Sequence, residues 1–143
     1  MGMTISLVTA GACALINLWL AFRIGQIRRA HSIFIGDGGD DRLVRRMRAQ
    51  ANFVEYAPFV LILIALIEYS SGTGIALWIA AGLFLIARIL HPLGMDGWMP
   101  GRMIGTVLTL LLLLGLGGYA IALPFLARNP IPDQGVTAPP PAV

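Results

Sequence analysis

Apolar residues in this chain come in long unbroken runs, without the alternation of a half-buried strand or the one-sided spacing of a surface helix. Residues 3–22, 72–87 and 103–127 carry no charge, and 53–67 carry only Glu55. A bilayer core takes about 20 residues of helix, and fewer where helix ends project into the headgroups. The pattern therefore predicts an all-α integral membrane protein, a bundle of four transmembrane helices at about 3–33, 41–70, 73–92 and 101–128. These spans fill residues 1–128 as one membrane domain and leave no room for an extramembrane domain. Residues 129–143 form a Pro-rich tail expected to be extended or disordered, since six of the nine prolines lie from Pro124 onward.

The interruptions are as informative as the runs. Gly36-Asp37-Gly38-Gly39-Asp40 is loop chemistry, with an Asp able to cap the next helix. Helix 2 then starts at Asp40 or Asp41 and rises from a basic first half into an apolar second half, with a kink expected at Pro58. Ser70 to Gly74 is a short uncharged turn, so helices 2 and 3 form a tight antiparallel pair. Helix 3 is expected to end near His91-Pro92, and the Gly- and Pro-rich stretch after it to place Trp98 as an interfacial anchor. Gly115, Gly117 and Gly118 suit close helix approach in helix 4. Glu68 ends the apolar part of helix 2 and is expected to be solvated.

Composition agrees: 57% of residues are hydrophobic and 12% charged, against about 25% charged in soluble domains, and the mean hydropathy is +0.81. The net charge of +3 is carried entirely by Arg, and nine of the ten lie between residues 23 and 48 or at Arg88 and Arg102. That distribution reads as the positive-inside signal and not as a nucleic-acid surface: both basic connections face the cytoplasm and both termini face outward. Arg23, Arg28 and Arg29 are expected to continue helix 1 and snorkel to the interface. The first run lacks a basic segment before it and a clear small-residue cleavage site, so it reads as a retained span. The single cysteine, Cys13, excludes an internal disulfide and a thiol-rich metal site, and packing is its expected role. No metal-ligand cluster, acyl-enzyme motif or phosphate loop is present, so no metal is expected.

Candidate chemistry concentrates in helix 2. Arg48, Asn52 and Glu55 are spaced i, i+4, i+7, which stacks a guanidinium, an amide and a carboxylate on one face. A carboxylate at membrane depth must be paired or meet a ligand, so this face turns to protein or to a hydrated cavity. Two readings remain open at this point: an Arg48–Glu55 ion pair that only fixes packing, or a binding strip.

The string Arg-Ala-Gln-x-Asn-x-x-Glu-Tyr-x-Pro at 48–58 resembles the signature of the MAPEG family, the membrane-associated proteins in eicosanoid and glutathione metabolism, as do four spans in a chain of this length. The resemblance covers helix 1 to the start of helix 4. It implies a homotrimer with glutathione as co-substrate, held in clefts between neighbouring subunits by the residues matching Arg48, Gln50, Asn52, Glu55 and Tyr56, with Arg28 of the Arg28-Arg29-Ala30 segment also reaching the peptide. In the Ala87-Arg88 to Met95 segment, His91 falls where some members have Tyr and others His, which makes it a further glutathione-binding candidate, and Met95 falls where a second Tyr is expected. Arg102, eleven residues after His91, matches the Arg proposed to stabilise the glutathione thiolate in leukotriene C4 synthase-like members. The activity implied is a membrane-bound glutathione transferase, with glutathione-dependent peroxidase activity as a second reaction, joining the thiolate to lipophilic small molecules that arrive from the surrounding lipids. The expected location is a bacterial inner membrane, with the site on the cytoplasmic side that the Arg distribution marks.

Met95, whose thioether cannot donate a hydrogen bond, keeps open a non-enzymatic lipid-binding or scaffold member of the family. A small proton-coupled multidrug transporter fits less well, since Arg45 and Arg48 beside Glu55 would hold it ionised and repel cations.

The Arg asymmetry makes a direct topological prediction. Reporter fusions in the 36–40 loop should register as cytoplasmic and fusions at Ser70 to Gly74 as external; the reverse pattern would contradict it.

Overall fold

The computed structural model describes residues 2–126, and the expected Pro-rich tail at 129–143 lies outside them. Among the described residues there are four helices and no strand: α1 (Thr4–Ala30), α2 (Asp41–Ser71), α3 (Ile75–Met95) and α4 (Met99–Leu126). All four are long and apolar enough to cross a membrane, and the protein is an all-α four-helix integral membrane bundle. At 1.5 Å per residue, the 31 residues of α2 span about 46 Å, against a hydrocarbon core of about 30 Å. Its polar first turns therefore stand at one membrane surface, which also carries the 31–40 loop and most of the arginines.

Helix ends follow their caps. Asp40 has extended backbone geometry and accepts the amides of Arg42 (2.8 Å) and Leu43 (3.3 Å), so α2 starts where an acidic cap satisfies its first donors. The Arg42 side chain beside it, with those amides, holds the Asp40 carboxyl down at about 2. Two boundaries differ from expectation. α1 stops at Ala30, and α3 runs through Pro92 to Met95, where the Asp96–Trp98 turn reverses the chain. Pro58 lies inside α2, which continues through it to Ser71.

α2 and α3 form the centre of the bundle. Each touches the other and both outer helices, whereas α1 and α4 do not meet among the described residues; α3 and α4 share the most extensive contact. The core they enclose includes Ile5, Leu20, Phe53, Val60, Ile64 and Phe84, with Cys13 packed among them. Leu114 and Ile121 of α4 are each 73% exposed, as an apolar helix face in lipid is free to be. Gly115, Gly117 and Gly118 are not close-approach positions within the protomer, since a Cβ at any of them would meet nothing within 4 Å.

Two charges expected at the surface are buried. Glu68 is 2% exposed and accepts the amides of Ile5 (2.9 Å) and Ser6 (2.8 Å), the Ser6 hydroxyl (2.5 Å) and the Thr73 hydroxyl (3.1 Å). α1 has no acidic residue in its first turn, and Met3 provides no side-chain cap. The carboxylate of α2 fills that gap across the bundle, where the helix dipole also favours it. Arg23 is 6% exposed and does not snorkel; it pairs with Asp96 and lies 4.8 Å from the Trp19 ring centre. Arg46 joins this clasp through Asp96 (3.7 Å) and the Arg23 carbonyl (2.7 Å), tying α1, α2 and the α3–α4 turn together.

Removing the Glu68 carboxylate should therefore weaken the bundle without touching its basic end. Glu68→Ala is expected to lower unfolding stability in detergent by about 2 kcal/mol, the scale of charge-assisted bonds left unmade; a change below about 0.5 kcal/mol would contradict the capping role.

Candidate functional site

Where α2, α3 and α4 converge near the basic end they leave a cleft of about 130 Å³ lined by Arg48, Ala51, Asn52 and Glu55 of α2, His91 and Met95 of α3, and Arg102 of α4. The i, i+4, i+7 spacing puts the three polar α2 residues on this wall. The extra turn that carries α3 through Pro92 puts Met95 beside His91. Five residues singled out from the sequence for binding or catalysis, Arg48, Asn52, Glu55, His91 and Arg102, thus share one concavity.

The position of Arg102 depends on two glycines. Gly94 lies so close to the first turn of α4 that a Cβ there would overlap the backbone nitrogen and Cα of Arg102. One helical stretch further in, a Cβ at Gly105 would fall 2.7 Å from the Ala87 carbonyl oxygen and 2.8 Å from His91 Cβ. With no side chains at these points α3 and α4 run backbone to backbone, and the distance between His91 and Arg102 across the cleft is set by that contact.

Behind the cleft lies Arg88, 2% exposed. It donates to Asn52 Oδ1 (3.0 Å), to the Gly105 carbonyl (3.1 Å) and to the Thr109 hydroxyl. Its guanidinium carbon sits 5.7 Å from the Phe84 ring centre and 6.0 Å from that of Tyr56. Sequence reasoning counted Arg88 with Arg102 in a basic cytoplasmic connection and placed no function on it; it lies instead inside α3, buried. The signal was present, since it is a lone charge in the apolar part of helix 3, and such a charge must face the bundle interior. Asp96 was also missed as a partner; a turn residue shows no periodicity that would point it at Arg23.

The remaining candidates are elsewhere. Gln50 is turned to α1, its amide donating to Asn17 Oδ1 (3.2 Å), because two residues from Arg48 is the far side of a helix. Arg28 contacts the Ile33 carbonyl (3.5 Å) and the Met47 sulfur (3.6 Å). Tyr56 lies against Arg88 and does not line the cleft.

Electrostatically the cleft is unfinished. Among the described residues, none of Arg48, Glu55 and Arg102 takes part in an ion pair, so the Arg48–Glu55 packing pair is not formed. Elsewhere at the basic end several charges are paired: Asp40 with Arg42 (3.1 Å), Asp96 with Arg23 and Arg46. A larger depression of about 510 Å³ under the 31–40 loop is lined by the paired Asp40 and Arg42, with His31 and Asp41. The smaller cleft brings Arg48, Glu55 and Arg102 together with no ion pair among them, the cations in excess.

A sequence profile of the MAPEG family matches residues 6–122. The chain is also similar to the inner membrane protein YecN of Escherichia coli, in strain K12 and in strain CFT073, at 26% identity over 114 residues, covering 77% of this chain and 87% of YecN.

Gly94→Ala should shift the start of α4 and with it Arg102. The expected cost is about 1–3 kcal/mol of stability from overpacking, while Gly117→Ala, in open space, should be neutral or slightly stabilising. Thermal unfolding of both variants in detergent checks this; equal effects would show that the α3–α4 contact is not tight.

Proposed function

Because this chain belongs to the MAPEG family, we propose that the cleft binds glutathione and that the protein is a membrane-bound glutathione transferase, with glutathione-dependent peroxidase activity as a second reaction. The observation that carries this reading is the convergence of Arg48, Asn52, Glu55, His91 and Arg102 with no ion pair among the charges. Glutathione has two carboxylates, one ammonium and one thiol. A guanidinium receives a carboxylate as a fork, and Glu55 is the acceptor suited to the ammonium. With Arg88 counted behind the wall, three guanidiniums face one carboxylate, a surplus of two positive charges, and the thiolate form of glutathione carries a surplus of two negative ones.

The chemistry assigned to Arg102 is thiolate stabilisation. A free thiol has a pKa of about 8.5, and lowering it by about two units takes about 2.7 kcal/mol of preferential interaction with the anion. A guanidinium in a partly desolvated cleft supplies that scale. The thiolate sulfur then attacks an electrophilic carbon of a lipophilic molecule entering from the bilayer, whose leaving group departs with the bonding electrons.

A cleft of about 130 Å³ is smaller than the roughly 300–1,000 Å³ of a typical small-molecule site. This supports a homotrimer in which a neighbouring protomer closes the cleft. Gln50 and Arg28, which cannot reach the cleft of their own protomer, are then contributed across the interface. An inner membrane location with the basic end in the cytoplasm, where glutathione is abundant, fits the Arg asymmetry and the name of YecN.

A second reading, a family member that binds without catalysis, is favoured by one observation: Met95 lines the cleft and offers no hydroxyl. A cation transporter is disfavoured by the cationic excess around Glu55.

Calorimetry and turnover on variants separate these. Arg48→Ala and Glu55→Gln should weaken glutathione binding about tenfold to a hundredfold, the equivalent of a desolvated charged contact, and more than Arg28→Ala does. Arg102→Ala should lower turnover with an electrophilic aryl halide far more than it lowers affinity. Unchanged affinity in both helix 2 variants would refute the site. Binding without turnover in the wild type would select the non-enzymatic reading.

A further inference from the structure

Arg88 differs from the other buried charges of the bundle. Glu68 has a helix N-terminus, and Arg23 has Asp96. Arg88, among the described residues, has no carboxylate partner: its acceptors are an amide oxygen, a carbonyl and a hydroxyl, and its Nε is buried with no hydrogen-bond acceptor. A cation removed from water without a counter-charge is costly, and the cost is recovered only when a negative charge comes within reach.

The geometry of its contact with Asn52 constrains the site. A guanidinium has five donors and no acceptor, so the carboxamide of Asn52 must turn its oxygen to Arg88. Its NH2 group is thereby directed away from Arg88, on a residue that lines the cleft. The low dielectric of the bundle strengthens both the bond and the polarisation it imposes on the amide.

We infer that Arg88 is a positioning residue for the cleft: it locks the Asn52 amide so that donors and not an acceptor face the ligand, and its unbalanced charge makes the cleft select an anionic ligand. The ligand atom met by Asn52 is then an acceptor oxygen, a carboxylate or a peptide carbonyl. This rests on the glutathione reading for the identity of the ligand, while the residues and their roles come from the hydrogen bonds around Arg88.

Asn52→Asp tests it, because aspartate is nearly isosteric with asparagine but reverses both effects. The new carboxylate gives Arg88 its missing counter-charge, and it presents no donor to the cleft. In the full-length protein in detergent, Asn52→Asp should hold or raise the thermal midpoint while weakening glutathione binding by at least tenfold in calorimetry. Arg88→Lys, which keeps the charge but cannot bridge Asn52, Gly105 and Thr109 at once, should also weaken binding. Binding by Asn52→Asp within twofold of the wild type would overturn the role of Arg88 and Asn52 and leave the glutathione site standing. A parallel fall in midpoint and affinity would assign Arg88 to packing alone and overturn it too. A wild type that does not bind glutathione would remove the ligand reading itself, and this role with it.

Discussion

A guanidinium in the middle of a membrane bundle has to be enclosed by acceptors, and the way α2, α3 and α4 meet answers that requirement for Arg88. One helix supplies an amide oxygen through Asn52, another a backbone carbonyl through Gly105 and a hydroxyl through Thr109. The absence of a side chain at Gly105 lets the α4 backbone come within reach of α3, so the same contact that gives Arg88 two of its acceptors also brings Arg102 opposite His91. Lipid offers no water to take over an unmade bond, which is why this arrangement is so exacting.

The bundle sorts its charges into those it consumes and those it leaves free. Glu68 closes the end of α1 remote from the cleft, Asp40 closes the start of α2, and Arg23, Arg46 and Asp96 bind three elements together at the basic end. Arg48, Glu55 and Arg102 enter no ion pair among the described residues. A packing device would pair them; on the proposed function they stay apart for a partner carrying both signs of charge.

The four spans were legible because lipid imposes long uncharged runs, and the α2 face was legible because helical periodicity carries Arg48, Asn52 and Glu55 to one side whatever they pack against. Tertiary choices were not. Glu68 reads as a surface carboxylate until α1 is seen to lack its own cap. Gln50 sits inside the same motif as Arg48 yet turns to Asn17, a choice that depends on where α1 lies. Pro92 suggests the end of a helix, yet α3 continues through it to Met95. Arg88 showed its burial in the sequence, as a lone charge in an apolar run, but its link to Asn52 joins residues 36 apart and no local pattern encodes it.

The central claim is that the cleft converts a bound thiol into a thiolate. Titrating glutathione into the purified protein in detergent near neutral pH, and following thiolate absorbance in the ultraviolet, addresses it most directly. A saturable absorbance increase that is lost in Arg102→Ala is the predicted result. No thiolate signal at concentrations where calorimetry shows the site filled would contradict it.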